Sequence, residues 1–156
     1  MDRMIFVNLP VRDVTASRRF YTALGFEVNE QFSDHQVACI LISRTIAVML
    51  LEHARFRDFI DTEIADPWVT TQVLNALSAS SRGEVDDLVA RAVAAGGTAR
   101  RVVEDGPMYG QSFADPDGHV WELIHMDLGE PDDPPADAVP AGCPVDTAEE
   151  ARTVAG

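Results

Sequence analysis

The chain has 156 residues, enough for one domain with a sizeable core, and an ordinary 46% of apolar side chains. Its formal charge of −14 carries no basic stripe, which argues against nucleic acid and anionic membranes as partners. All 12 basic residues are Arg, and without a lysine no Schiff-base mechanism is available.

The first residues hold only a short apolar run, with no cleavage signature and no stretch long enough to span a bilayer, so a cytoplasmic protein is expected. Cys39 and Cys143 fall in no metal or redox spacing and read as incidental thiols. Residues 5–9 form a short strand stopped by Pro10. Asp13 then caps a helix whose positions Val14, Ser17, Phe20, Tyr21 and Leu24 share one face, and Gly25 ends it. Strands are expected over residues 26–32, 37–42 and 46–51. A segment over 53–67, with Phe56, Phe59 and Ile60 at helical spacing, leads onward. A strand within 70–78 opens a second series. Ser81 and Glu84 form a capping box for a helix carrying Val85, Leu88, Val89, Ala92 and Val93 on one stripe, ended by Gly96 and Gly97. Strands near 98–104, 109–115 and 119–126 complete it.

The order strand, helix and three strands therefore occurs twice, giving an α+β chain of two βαβββ modules over about residues 3–52 and 70–127. Together they form one domain over 1–127. Residues 127–156 hold 8 of the 26 acids and 1 of the 12 bases, half of the net charge, and five prolines. From 128 onward an acidic, Pro-rich and disordered tail is expected.

The last strand carries the most chemistry. A turn, Asp115-Pro116-Asp117-Gly118, opens into His119-Val120-Trp121-Glu122-Leu123-Ile124, an apolar run with one carboxylate. Burying a lone Glu there is costly and asks for a reason. Strand alternation places His119 and His125 on the face away from Glu122, and both read as surface or strand-end residues.

The entry VRDVTASRRFYTALGFEV, from Val11 to Val28, and the exit DPDGHVWEL, from Asp115 to Leu123, resemble the vicinal-oxygen-chelate superfamily. That superfamily includes glyoxalase I, fosfomycin-resistance thiol transferases, extradiol dioxygenases and bleomycin-binding proteins. FVNLPVRD together with MYGQSF is similar to its glyoxalase-like subgroup. The resemblance implies two modules related by a pseudo-twofold axis, with curved mixed sheets around a cup. In the family's metalloenzymes a His on each first strand and a Glu on each last strand bind a divalent metal. The matching positions here are Phe6, Leu50, Leu74 and Glu122, so three of four carry no suitable donor and no metal cofactor is expected. Asn8 and Glu52 could join Glu122 only in a weak, displaced set.

What remains is an apolar cup with Phe6, Asn8, Leu50 and Leu74 as ligand-binding residues. Val48, Val120 and Ile124 lie in the same floor, Met108 and Tyr109 at the rim, and Glu122 is the catalytic candidate. The expected function is metal-independent: the cup sequesters a small molecule or acts on it through Glu122. A divalent-metal-dependent lyase or transferase of the lactoylglutathione lyase type stays open as the alternative. The resemblance also implies a homodimer, because family members pair modules across a subunit interface.

Overall fold

The computed structural model describes residues 3–129. The expected tail from residue 130 onward lies outside the described residues. The first module runs β1 (Ile5–Val11), α1 (Val14–Ala23), β2 (Glu27–Val28), β3 (Val37–Leu41) and β4 (Ile46–Glu52). A short helix α2 (His53–Arg57) opens the linker. The second module runs β5 (Leu74–Ser78), α3 (Arg82–Ala94), β6 (Thr98–Asp105), β7 (Met108–Ala114) and β8 (Val120–Met126). The sheet orders are β1-β4-β3-β2 and β5-β8-β7-β6. In each, the first and last strands pair in parallel and the other neighbours are antiparallel. The eight strands thus divide into two equivalent sets of four, as the repeated element order implies.

Local chemistry explains the helices. The Asp13 carboxylate accepts from Ala16 N–H at 3.0 Å, satisfying a donor that the first helical turn leaves free. Gly25 turns the chain away at φ +99°, where a Cβ would be strained. On α3 the Ser81 hydroxyl accepts from Glu84 N–H at 3.1 Å, while Glu84 reaches back to Ser80 rather than to Ser81. The α1 stripe is buried as expected, but on α3 Val93 is exposed, beyond the edge of the covered face. The expected strand over 26–32 is only Glu27–Val28, followed by a 3-10 turn at Glu30–Phe32. Asn29 accepts from Gln31 N–H there, drawing the backbone out of the ladder.

Both helices pack on the same side. α1 covers β3 and β4, α3 covers β7 and β8, and the helices touch each other. The apolar residues between them form a single core, from Leu9, Val11 and Leu50 across Phe20 and Tyr21 to Phe113, Trp121 and Leu123. Aromatic rings bridge the modules: Phe20 lies 6.1 Å from Phe113, and Tyr21 6.1 Å from Trp121 in an edge arrangement. α1 and α3 leave the opposite face of each sheet uncovered, and on the first sheet α2 and the linker pack beside β1 and β4.

Candidate functional site

Glu122 stands on β8 opposite Ser112 of β7 and Ala76 of β5. Its chain neighbours Trp121 and Leu123 point into the helix-covered core, each 2% exposed, so pleating delivers Glu122 to the open face. There it borders a hollow of about 190 Å³ with Arg101, Val103, Met108, Ser112 and Ile124. Among the described residues Glu122 has no ion-pair partner. The β6–β7 register shifts by one residue between Ala99 and Val102, and Arg101, two positions before Val103 on β6, borders the same hollow. The Ser112 hydroxyl bridges that shift by accepting from Arg101 N–H at 3.0 Å. The site therefore offers one carboxylate and one guanidinium, with Gln111 and Ser112, on a largely apolar surface. Sequence reasoning missed Arg101 because every position of β6 is exposed, so no alternation of polarity marks which of its residues face the hollow.

Register decides the other candidates. Asn8 pairs with Met49, and Leu9 with Leu50. Phe6, Asn8 and Met49 hence share the open face of the first sheet, whereas Leu50 and Val48 lie in the core with no exposure. The assignment of Leu50 to the ligand surface is corrected to Met49: a one-residue slip along a strand exchanges its faces. Glu52 pairs with Val11, away from Asn8, so the displaced set of Asn8, Glu52 and Glu122 is not brought together. Phe6 is 53% and Leu74 54% exposed, each on the open face of its own sheet.

Tyr109 is also corrected. It pairs with His125, on the helix side of β7, and its hydroxyl donates to Asp86 of α3 at 2.6 Å. That hydrogen bond is the main reason its phenol is held above its ordinary pKa. Met108 and Tyr109 are adjacent on a strand and cannot both edge one face; Met108 borders the hollow.

Asn8 borders a different space, a hollow of about 320 Å³ roofed by the linker. Pro10, Phe56, Ile60, Val73 and His119 also line it. Within one chain, Asn8 and Glu122 therefore face separate spaces.

The turn after β7 proves to be a staple between modules. Asp115 is buried and accepts from Tyr21 Oη at 2.7 Å, Asp117 N–H at 3.0 Å and His119 N–H at 2.9 Å. Asp117 accepts from Ser17 Oγ and from both the backbone and Nε of Arg12. Trp121 Nε1 donates to Tyr21 Oη at 2.9 Å, and His119 Nε2 donates to the Pro10 carbonyl at 2.7 Å. Loss of solvent raises the Asp115 carboxyl and the Tyr21 phenol above their ordinary pKa values. His119 is buried here, immediately before β8, so it is a strand-end residue but not a surface one.

A divalent metal of the kind the family implies is not matched by these side chains. Phe6 and Leu74 offer only carbon, Met49 a weak thioether, and Glu122 alone a hard oxygen donor. Among the described residues no three His, Cys, Asp or Glu side chains cluster as a metal site.

Comparison with known proteins agrees with this architecture. Residues 3–43 match a family model described as bleomycin resistance protein-like N-terminal. A hypothetical protein from S. aureus is 28% identical, with a TM-score of 0.68 over 80% of this chain and 94% of that one. A glyoxalase/bleomycin resistance protein/dioxygenase family enzyme from Burkholderia phytofirmans PsJN shares the fold at 21% identity and a TM-score of 0.66, covering 80% and 99%. Lactoylglutathione lyase from Agrobacterium tumefaciens does so at 17% and 0.59, covering 80% and 94%. The search of curated proteins gave no match. The paired modules and this N-terminal match support the vicinal-oxygen-chelate superfamily, whose fold the chain shares. Among the described residues no helix is long and apolar enough to cross a membrane.

Proposed function

We propose that this protein holds a small molecule against Glu122, without a resident metal, in a cup completed by a second copy of the chain. The observation that carries the reading is an unpaired carboxylate in a largely apolar hollow, with Arg101 as its charged neighbour. Such hollows, apolar with a few convergent polar groups, are the usual form of small-molecule sites. Glu122 then orients a hydroxyl-bearing or cationic ligand, or takes a proton from it as a general base. The choice between sequestration and catalysis depends on where a ligand's acidic proton sits. The 190 Å³ available in one chain is small for an enclosed ligand, which supports a second wall from outside. A second copy offers that wall in its own open face bearing Phe6, Asn8 and Met49.

The test is metal analysis of purified protein followed by a thermal-shift screen of small carbonyl, epoxide and phenolic compounds. Glu122→Gln is expected to abolish or weaken the shifts found with wild type and to leave metal content unchanged. Stoichiometric Zn²⁺, Ni²⁺ or Fe²⁺ that disappears in Glu122→Gln would overturn the proposal in favour of a metal-dependent lyase or transferase.

A further inference from the structure

The linker encloses another hollow, of about 200 Å³, on the far side of Pro10 and Pro67, residues that also border the larger space. Its lining is unusual for a chain with 26 acidic and 12 basic residues. Two guanidinium side chains and an imidazole border it: Arg12 from the turn after β1, and His53 and Arg57 from α2. Trp68 forms a wall and lies close to Gly118. Its ring would stand 3.0 Å from a Cβ at position 118, which only the glycine there avoids, and the Arg100 guanidinium lies 5.6 Å from its centroid.

Two carboxylates share the lining, and both are already engaged. Asp117 accepts from Arg12 and Ser17, and Asp66 accepts from Trp68 N–H at 2.9 Å. Arg12 spends its Nε on Asp117 and one terminal nitrogen on the Pro116 carbonyl, leaving the other terminal nitrogen. Among the described residues His53 and Arg57 have no ion-pair partner. The hollow thus presents Arg57, His53 and one terminal nitrogen of Arg12 as donors that its own two acids do not engage.

We propose that this hollow is an oxyanion site, taking a carboxylate or phosphate ester on a flat apolar body. Arg57 and Arg12 hold the oxyanion, His53 adds a donor, and the body lies against Trp68 and the prolines. Guanidinium donors match the paired oxygens of either anion, which is why the two share one site. None of these residues borders the Glu122 hollow, so this inference stands apart from the proposed function.

The experiment is a fluorescence titration of the full chain. Of its two tryptophans Trp121 is buried and Trp68 is 45% exposed, so Trp68 reports on the hollow. Benzoate and phenyl phosphate are the probes, with benzamide and sodium chloride at matched ionic strength as controls. A saturable change with either anion and none with the controls is expected, and which anion binds more tightly distinguishes the two chemistries. Arg57→Gln should weaken that binding about tenfold, the loss of one charge-assisted hydrogen bond. Glu122→Gln should not alter it. If Arg57→Gln perturbs the far-ultraviolet circular dichroism, His53→Gln serves for the same comparison. Absence of a saturable change with both anions, an equal response to benzamide or chloride, or unchanged affinity in the folded variant would overturn the proposal.

Discussion

At the scale of single residues, the motif that carries the family resemblance also fastens the two halves of the molecule. Tyr21 sits between Asp115, to which it donates, and Trp121, from which it accepts. Tyr21→Phe removes both bonds and leaves a buried carboxylate and an indole N–H each short of a partner. An unfolding free energy lower by about 2–3 kcal/mol is expected by urea denaturation. A loss below about 0.5 kcal/mol would mean that the staple adds nothing to packing. Glu122 behaves oppositely. It is half-buried without an ion-pair partner, so Glu122→Gln should leave the melting temperature unchanged or slightly raised while altering ligand binding. A residue kept for folding would show the reverse pattern.

At the scale of elements, α3 depends on its first turn. Ser81→Ala should cost about 0.5–2 kcal/mol, because the Glu84 N–H loses its cap. Glu84 gives this element a pH signature. Hydrogen bonds from the Ser80 hydroxyl and then the Ser80 backbone hold its carboxyl below the ordinary value of 4.5. A depressed pKa favours the folded state while the group is ionised. That contribution is complete above the ordinary glutamate value and is lost as pH falls through the lower folded value. The stability gap between wild type and Glu84→Gln should therefore be widest near neutral pH and close on acidification. Chemical denaturation at several pH values checks this, and a gap that stays constant into strong acid would contradict it. Strand β6 is the other element with a consequence, since alternate positions Arg101 and Val103 border the Glu122 hollow.

For the whole molecule, packing both helices into one core leaves two sheet faces uncovered, with Phe6 and Leu74 more than half exposed on them. Apolar surface of this kind favours association. Light scattering at tens of micromolar is expected to report a homodimer, and Leu74→Asp or Phe6→Asp to shift it to monomer without loss of circular dichroism. Both side chains are exposed in the single chain, so the monomeric fold does not depend on them. A monomeric wild type would remove the second wall from the proposed cup.

Much of this protein is written locally in its sequence. The Asp13 and Ser81 caps, the stop at Gly25, the apolar stripes and the repeated order of elements each depend on neighbours within a few residues, and the two-module fold follows from them. Glu122 was legible for the same reason, as one charged residue alternating with Trp121 and Leu123. Other assignments needed contacts between distant segments. The sequence 46–52 is apolar at nearly every position, so only pairing with β1 decided that Met49 rather than Leu50 faces outward. Tyr109 found Asp86, and Asp115 found Tyr21, across long separations along the chain. Alternation reports which residues share a face only when the two faces differ in polarity; where both are apolar, the tertiary packing makes the choice.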